Sequence, residues 1–119
     1  FYLTKFAFCD LIQLKKRTEK TRAYSLYFNK KKIVDGFTTN PSLMRKAGAK
    51  SYEKYSKLLL KICRKKPISL EVFADDFTEM EKQALKINSW GKNVYVKIPV
   101  VNSKGKFTGK VIKELNSIN

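Results

Sequence analysis

The chain has 119 residues, of which 43% are hydrophobic, and it carries a formal net charge of +16. This composition is typical of a single domain with an apolar core, and no apolar run approaches the roughly 18 residues that a membrane span requires. The first ten residues lack the basic region and the cleavage site of a signal peptide, so we expect a soluble, cytoplasmic protein that does not bind membranes.

The first part of the chain carries a weak strand and helix pattern, followed by a clearer one. The stretch "FYLTKFAFC" can form a strand, and the residues after it can form a helix capped by Asp10. Residues 32–40, "KIVDGFTTN", are apolar and β-branched before they become polar, which predicts a second strand. In "NPSLMRKAG", Asn40 suits a helix N-cap, Pro41 the first turn and Gly48 the residue past the end, so we predict a short helix.

The middle of the chain continues with helix, strand and helix. An amphipathic helix is predicted over 51–66, "SYEKYSKLLLKICRKK", with lysines on one face and an apolar row on the other. That row consists of Tyr52, Tyr55, Leu59, Ile62 and Cys63. Residues 67–75 alternate as a strand does, and Asp76 then caps a helix with a regular apolar stripe. The stripe consists of Phe77, Met80, Ala84 and Ile87.

A strand and a helix complete the pattern. Residues 93–101, "NVYVKIPVV", predict a strand that is apolar on both faces apart from Lys97. A glycine-containing loop leads to "KVIKELNS", which has a helical pattern. From residue 32 onward strands and helices alternate about every 30 residues, an order that predicts a parallel sheet with right-handed crossovers and an α/β fold.

Lys97 is the unusual residue of its strand. If Val94, Val96 and Ile98 face the helices, Lys97 faces the other side of the sheet, and the same alternation directs Glu71 there. An amine held in such a place can attack a ketone and form a Schiff base. The alternative is structural: Lys97 reaches solvent at a sheet edge, or forms a satisfied buried ion pair with Glu71. These residues alone leave both alternatives open.

Three segments together favour the chemical alternative: "VDGFTTNPSL", "ISLEVFADD" and "VYVKIPV". In this order they resemble the transaldolase family, particularly its short members related to fructose-6-phosphate aldolase, from about residue 33 to the end of the chain. The resemblance implies a (β/α)8 TIM barrel, of which this chain holds about the first four βα units as a partial barrel. We therefore expect one partial domain over 1–119, with a divergent segment at 1–31 and transaldolase-like units over 32–119.

The resemblance also implies roles for individual residues. Lys97 matches the lysine that forms the Schiff base with the donor ketose, and Glu71 matches the acidic residue that positions a proton-relaying water. Asn40 matches the asparagine that holds donor hydroxyl groups, and Thr38 and Thr39 of the same motif are further substrate-binding candidates. The protonated imine is the electron sink, so no cofactor is expected. With no histidine and two isolated cysteines in the chain, no metal site is expected either.

Two features depart from the family pattern. The family's first strand carries an aspartate as general acid/base; here Thr4 takes that place if "FYL" is the strand, and Asp10 can serve if "KFAFCD" is. Alternatively, Asp10 is only a helix N-cap.

The chain also stops before the second half of the barrel, which in the family supplies the arginine that binds the substrate phosphate. We therefore expect it to be inactive alone.

The implied reaction is the transfer of a dihydroxyacetone unit between sugar phosphates in the pentose phosphate pathway. The expected partners are fructose 6-phosphate, erythrose 4-phosphate and sedoheptulose 7-phosphate, and a second copy or a complementing chain could complete the barrel. Members that act as simple aldolases tend to have glutamine where this chain has Glu71. This difference favours a transaldolase over a fructose-6-phosphate aldolase-like lyase.

Two other classes stay open, a basic nucleic-acid-binding module and a non-catalytic remnant that only assembles with partners. The net charge of +16 suggests nucleic acid. The excess is uneven, which weakens this interpretation, because residues 1–66 hold 18 basic and 4 acidic side chains whereas residues 67–119 hold 8 and 6. In addition, only four of the 26 basic residues are arginine, no RNA-binding aromatic motif is present, and abundant Lys, Ile and Asn are typical of AT-rich coding sequence. Nucleic acid is therefore not the expected partner.

Overall fold

A computed structural model of the chain describes residues 6–8 and 35–118. Its strands are β1 (Phe6–Phe8), β2 (Gly36–Thr38), β3 (Ile68–Glu71) and β4 (Val94–Lys97). Its helices are α1 (Pro41–Lys46), α2 (Tyr52–Ile62), α3 (Phe77–Asn88) and α4 (Gly109–Ser117). From β2 onward the elements follow the predicted order of strands and helices. None of the helices in the described ranges has both the length and the apolar character needed to span a bilayer.

The strands form one parallel sheet in the order β1-β2-β3-β4. Neighbours in the sheet are also consecutive along the chain, as expected when helical connections join parallel strands. Phe8 is aligned with Thr38, so the first strand includes the "FAF" of "KFAFCD"; Thr4 and Asp10 lie outside the described residues. The predicted parallel α/β arrangement is confirmed, whereas closure into an eight-stranded barrel stays a prediction.

Helix α1 begins and ends as its sequence predicts. The Oδ1 atom of Asn40 accepts a hydrogen bond from the backbone N–H of Leu43 at 2.8 Å, and Pro41 occupies the first turn. Gly48, just past the helix, has a φ of +88°, a left-handed conformation that glycine adopts without strain. Because Asn40 already caps the helix, β2 ends at Thr38 rather than at residue 40.

Helix α2 ends at Ile62 and is therefore shorter than the predicted segment 51–66. Two features explain the earlier end. The proline that starts the next segment disfavours helical backbone in the residue before it. In addition, the side-chain amide of Asn93 donates hydrogen bonds to the carbonyl oxygens of Cys63 and Lys66, each at 3.1 Å. This amide satisfies carbonyl groups that a longer helix would have paired internally.

The core lies between one face of the sheet and the helices. The strands and the residue after β3 contribute Phe37, Ile68, Leu70 and Val72 to it. The helices and the C-cap of α2 contribute Met44, Leu59, Leu60, Cys63, Met80, Ala84, Ile87 and Val111. The apolar stripes predicted for α2 and α3 thus pack against the core. The alternate strand residues lie on the opposite side of the sheet, which we call the open face.

An apolar groove follows the edge of the sheet at β4. It has a volume of about 440 Å³ and lies between β4, α3 and α4. We call it the β4 groove; its lining includes Leu85, Tyr95, Val96, Leu115 and Ile118. Leu85 and Tyr95 remain 43% and 61% exposed, which is high for large apolar and aromatic side chains.

Candidate active site

The register of the sheet arranges polar residues in rows across the open face. Thr38 is aligned with Ser69, and Ser69 with Tyr95. Two residues further along, Glu71 is aligned with Lys97. Because residues at alternate positions of a strand share a face, the second row lies directly above the first, at the carboxyl end of the strands. In parallel α/β proteins this end is where functional groups collect.

Lys97 and Glu71 form an ion pair in the second row. The Nζ atom of Lys97 lies 3.3 Å from Oε2 of Glu71, and their side chains are 41% and 28% exposed. The structural alternative of an ion pair is therefore realised, but the pair is reachable from solvent rather than buried. An exposed amine beside a carboxylate can meet a substrate carbonyl and pass a proton to its neighbour.

Asn40 joins this group from the turn after β2. It follows Thr38 by two residues and, together with Glu71, lines a cleft of about 540 Å³, which we call the Glu71 cleft. Its Oδ1 atom is already bound by the backbone of α1. The amide nitrogen is therefore the atom of Asn40 that is left to donate to a ligand hydroxyl.

The other two predicted threonines occupy different environments. Thr38 is half-buried in the first row of the open face, whereas Thr39 is 3% exposed on the helix side of the sheet. Within the part of the chain that the structure describes, the hydroxyl of Thr39 has no hydrogen-bond partner. The structure therefore does not bring Thr39 to the face that carries Lys97. Asp10 lies outside the described residues.

Tyr52 supports the site although its sequence suggests only a core position. Its hydroxyl donates a hydrogen bond to the backbone carbonyl of Glu71 at 3.0 Å. Its ring meets Phe73 and Trp90 edge-on, with centroids 5.5 and 5.7 Å apart. Burial, the main cause, raises the pKa of the Tyr52 phenol well above its ordinary value, so it is a protonated donor at neutral pH. Tyr52 thus fixes the end of β3 where Glu71 stands.

The loops that follow β3 and β4 are joined to each other. The Asp75 carboxylate accepts hydrogen bonds from the backbone N–H of Ser103 at 2.6 Å and from its hydroxyl at 2.7 Å. These bonds, the backbone one first, hold the pKa of the Asp75 carboxyl below its ordinary value. Gln83 of α3 adds an anchor, since its Oε1 accepts from the N–H groups of Phe73 and Ala74 at 2.7 and 3.0 Å. The loops beyond Glu71 and Lys97 are therefore fixed together.

The turn directly after Lys97 is held by Thr108. Its side chain is fully buried, and its hydroxyl donates to the carbonyl groups of Pro99 and Val100. The backbone N–H of Thr108 also donates to the Val100 carbonyl, at 3.0 Å. Sequence patterns did not indicate this contact, because a threonine before a helix is first expected to cap that helix.

Comparison with known proteins identifies similar sequences of one family. The family described as Transaldolase/Fructose-6-phosphate aldolase matches residues 7–119, so the match includes most of the segment set apart as divergent. A probable transaldolase from Dehalococcoides mccartyi is 37% identical over 82 residues, which cover 69% of this chain and 38% of that protein. One from Methanococcus vannielii is 39% identical over 89 residues, covering 73% and 40%. One from Leptospira biflexa is 38% identical over 71 residues, covering 58% and 31%.

The chain thus spans well under half the length of the relatives that it matches. Within the chain, the "VKIP" lysine and the "LEV" glutamate meet on adjacent strands. The family match extends over nearly the whole chain. The chain therefore belongs to the transaldolase/fructose-6-phosphate aldolase family.

Proposed function

We propose that the chain carries the Schiff-base half of a transaldolase site, which transfers a dihydroxyacetone unit between sugar phosphates. The supporting observation is the pair of Lys97 and Glu71, an amine and a carboxylate 3.3 Å apart on adjacent strands and both partly exposed. The family and the names of the relatives support the same class of reaction. The reaction would be a step of the pentose phosphate pathway.

The proposed reaction begins with attack of Lys97 Nζ on the C2 carbonyl of fructose 6-phosphate; loss of water then gives an imine. The C4 hydroxyl loses its proton as the C3–C4 bond breaks, and glyceraldehyde 3-phosphate leaves. The electron pair stays on C3, delocalised into the protonated imine. C3 then attacks the aldehyde carbon of erythrose 4-phosphate, whose oxygen takes up a proton. Hydrolysis of the new imine releases sedoheptulose 7-phosphate and the free amine.

Other side chains have supporting roles in this proposal. Glu71 accepts the proton that the ammonium of Lys97 releases, and it holds the water that enters and leaves during imine formation and hydrolysis. The amide nitrogen of Asn40 and the hydroxyl of Thr38 bind donor hydroxyl groups. We assign no substrate contact to Thr39, which is buried on the helix side. Asp10 is the candidate for the general acid/base of the first strand.

The site proposed here is one part of a barrel. We infer that residues 1–119 form one partial domain of an eight-stranded TIM barrel. The chain spans well under half the length of its relatives, and an eight-stranded barrel needs βα units beyond these residues, which a complementing chain or a second copy could supply. We expect no turnover from the 119-residue chain alone.

A transfer assay tests the proposal. The chain, alone or co-expressed with the remaining barrel units of the Methanococcus vannielii relative, is supplied with fructose 6-phosphate and erythrose 4-phosphate. We expect sedoheptulose 7-phosphate from the co-expressed pair, and none after Lys97→Arg, because a guanidinium keeps the charge but cannot act as the nucleophile. Lys104→Arg, an exposed lysine in the next loop, is the matched control and should keep activity. Product from the Lys97→Arg pair would contradict the proposal.

A fructose-6-phosphate aldolase-like lyase is the second candidate function. Both reactions use the same imine and end with hydrolysis of an imine, and they differ in whether C3 takes up a proton or attacks a second aldehyde. Glu71 favours transfer, because simple aldolases resembling this chain tend to have glutamine there. Release of free dihydroxyacetone in the absence of erythrose 4-phosphate would favour the lyase. If the co-expressed pair formed neither product, the chain would be a non-catalytic remnant.

A further inference from the structure

Two apolar residues border the Glu71 cleft just beyond the ion pair of Lys97 and Glu71. Phe73 follows Glu71 by two residues. Pro99 follows Lys97 by the same number, and both line this cleft. The pairing of the two segments continues past β3, since the Val72 N–H donates to the Lys97 carbonyl at 2.9 Å. Two residues advance a strand by roughly 6.5 Å, so Phe73 and Pro99, which we call the apolar rim, lie about that far beyond the ion pair.

Phe73 presents a large aromatic surface to the cleft, because it is 59% exposed. A single exposed aromatic residue is common on protein surfaces, and Phe107 in the loop after β4 is another, at 69%. Phe73 differs from Phe107 because it lines a cleft that also carries the Glu71 carboxylate and the Asn40 amide. Ligand pockets typically combine apolar surface with a few polar groups in this way.

The rim is fixed on both strands. Gln83 Oε1 accepts a hydrogen bond from the Phe73 N–H at 2.7 Å, and the Phe73 ring meets Tyr52 edge-on with centroids 5.5 Å apart. On the other strand, the Pro99 carbonyl accepts a hydrogen bond from the hydroxyl of Thr108, whose side chain is buried. A ring that is already ordered loses little side-chain entropy when a ligand covers it. The rim is therefore a preorganised apolar surface.

The position of the rim favours a particular kind of ligand. The cations of the cleft lining, Arg45 and Lys50, belong to α1 and the turn after it, so the wall formed by the ends of β3 and β4 is apolar beyond the ion pair. A ligand bound by its carbonyl carbon at Lys97 would pass this wall as it extends out of the cleft. A hydroxylated carbon gains little there, whereas an apolar group leaves water and contacts an aromatic ring.

We propose that Phe73 and Pro99 bind the apolar substituent of a hydroxyketone, so that Lys97 forms its imine with ketones that carry an alkyl or aromatic group and no phosphate. This inference rests on the proposed function and adds a substrate class to it. Lys97 Nζ bonds to the carbonyl carbon, and the carbonyl oxygen leaves as water. Borohydride, added as the reductant, then transfers hydride to that carbon and converts the imine into a stable secondary amine.

Two ketones that differ in one phenyl group test the rim, namely 1-hydroxybutan-2-one and 1-hydroxy-4-phenylbutan-2-one. NMR titration of the native chain measures the two dissociation constants. We expect the phenyl ketone to bind about three- to tenfold more tightly, which is the range that one aromatic contact supplies. Phe73→Ala should remove this preference. Phe107→Ala is the matched control, because Phe107 is an exposed aromatic residue that does not line the cleft, and it should keep the preference.

The outcomes separate the rim from general surface hydrophobicity. Equal dissociation constants for the two ketones would overturn the proposal, and so would equal losses of preference in Phe73→Ala and Phe107→Ala. Circular dichroism checks that each variant is folded. Phe73→Leu is a second variant that keeps an apolar side chain beside Tyr52, and it should lessen the preference. If Phe73→Ala failed to fold, an undiminished preference in Phe73→Leu would overturn the proposal.

Borohydride reduction separates the rim from the proposed function. The ketone without the phenyl group reports Schiff-base formation alone, through a label on Lys97 of the native chain. Labelling by both ketones without any binding preference would support the proposed function and overturn the rim. A binding preference without any label would contradict the proposed function and, with it, the new substrate class.

Discussion

Lys97 is restrained at both ends of its flexible side chain. Its backbone is aligned with Glu71 in the sheet, and its carbonyl accepts a hydrogen bond from the Val72 N–H at 2.9 Å. The carboxylate of Glu71 lies 3.3 Å from the other end, at Nζ. A lysine that is free at its tip would lose much side-chain entropy on meeting a substrate. The restraint therefore narrows the set of positions from which the amine would carry out the proposed attack.

At the residue scale, removal of one hydroxyl tests the support of Glu71. Tyr52→Phe deletes the hydrogen bond to the Glu71 carbonyl and keeps the ring against Phe73 and Trp90. We expect the free energy of unfolding to fall by about 1 kcal/mol, measured by denaturant titration. Tyr95→Phe, at a residue that is 61% exposed, is the matched control and should have little effect. Equal losses in the two variants would contradict the role of Tyr52.

Sequence periodicity predicted which side chains reach the open face, but not what holds them there. Lys97 and Glu71 could be assigned to one face because a strand repeats every two residues. The contact of Tyr52 with Glu71 could not be predicted, because it joins residues 19 positions apart in two different elements. Thr38 and Thr39 share one motif, yet strand alternation places them on opposite faces of the sheet.

At the scale of elements, Asn93 joins the end of α2 to the start of β4. Its amide donates to the carbonyls of Cys63 and Lys66, so Asn93→Ala would delete two hydrogen bonds between these elements. We expect the free energy of unfolding to fall by about 1–3 kcal/mol, measured in a denaturant titration. Asn116→Ala, at an exposed residue of α4, is the control and should change it far less. An unchanged stability of the Asn93 variant would contradict this account.

The hydrogen bonds between Asp75 and Ser103, which join the loops after β3 and β4, predict that the stability of the fold depends on pH. The folded pKa of Asp75 lies below its ordinary value of 3.8, so the carboxylate form is the one that the fold stabilises. This contribution is fully present above that value and is lost as the pH falls through the lowered pKa.

Asp75→Asn removes this titration. The difference in Tm between the native chain and the variant should be constant near neutral pH and should narrow as the pH falls below about 4. Thermal unfolding over this pH range measures the difference. Asp35→Asn, at an exposed residue before β2, should not reproduce the narrowing. If the difference in Tm widened as the pH fell, it would contradict a folded pKa of Asp75 that lies below its ordinary value.

Helix starts were predictable and helix ends less so. Asn40 and Asp76 cap α1 and α3 as their sequences predict, because capping is a local interaction within three residues. The end of α2 depends instead on Asn93, which lies 27 and 30 positions from the carbonyls that it binds. A local pattern holds no information about such a distant partner.

At the scale of the whole molecule, the described sheet has open edges at β1 and β4. Parallel sheets are usually covered on both faces, and an open edge beside apolar side chains favours association. The parallel order was predictable from the alternation of strands and helices. Closure into an eight-stranded barrel stays a prediction, because the described residues contain four strands.

The β4 groove should therefore mediate self-association of the chain when no complementing polypeptide is present. Leu85→Lys places a charge in this groove, and we expect it to shift the chain toward the monomer in sedimentation velocity experiments. Leu58→Lys, at a residue that is 51% exposed on α2 and outside the groove, is the matched control and should not. Equal effects of the two substitutions would contradict association through the groove.

The central claim is that Lys97 forms the Schiff base. Borohydride reduction of the native chain with fructose 6-phosphate, followed by proteolysis and mass spectrometry, identifies the lysine that carries the sugar. We expect one adduct, on the peptide that contains Lys97, and none after Lys97→Arg. A folded sample that gave no adduct, or an adduct spread over the exposed lysines, would contradict it.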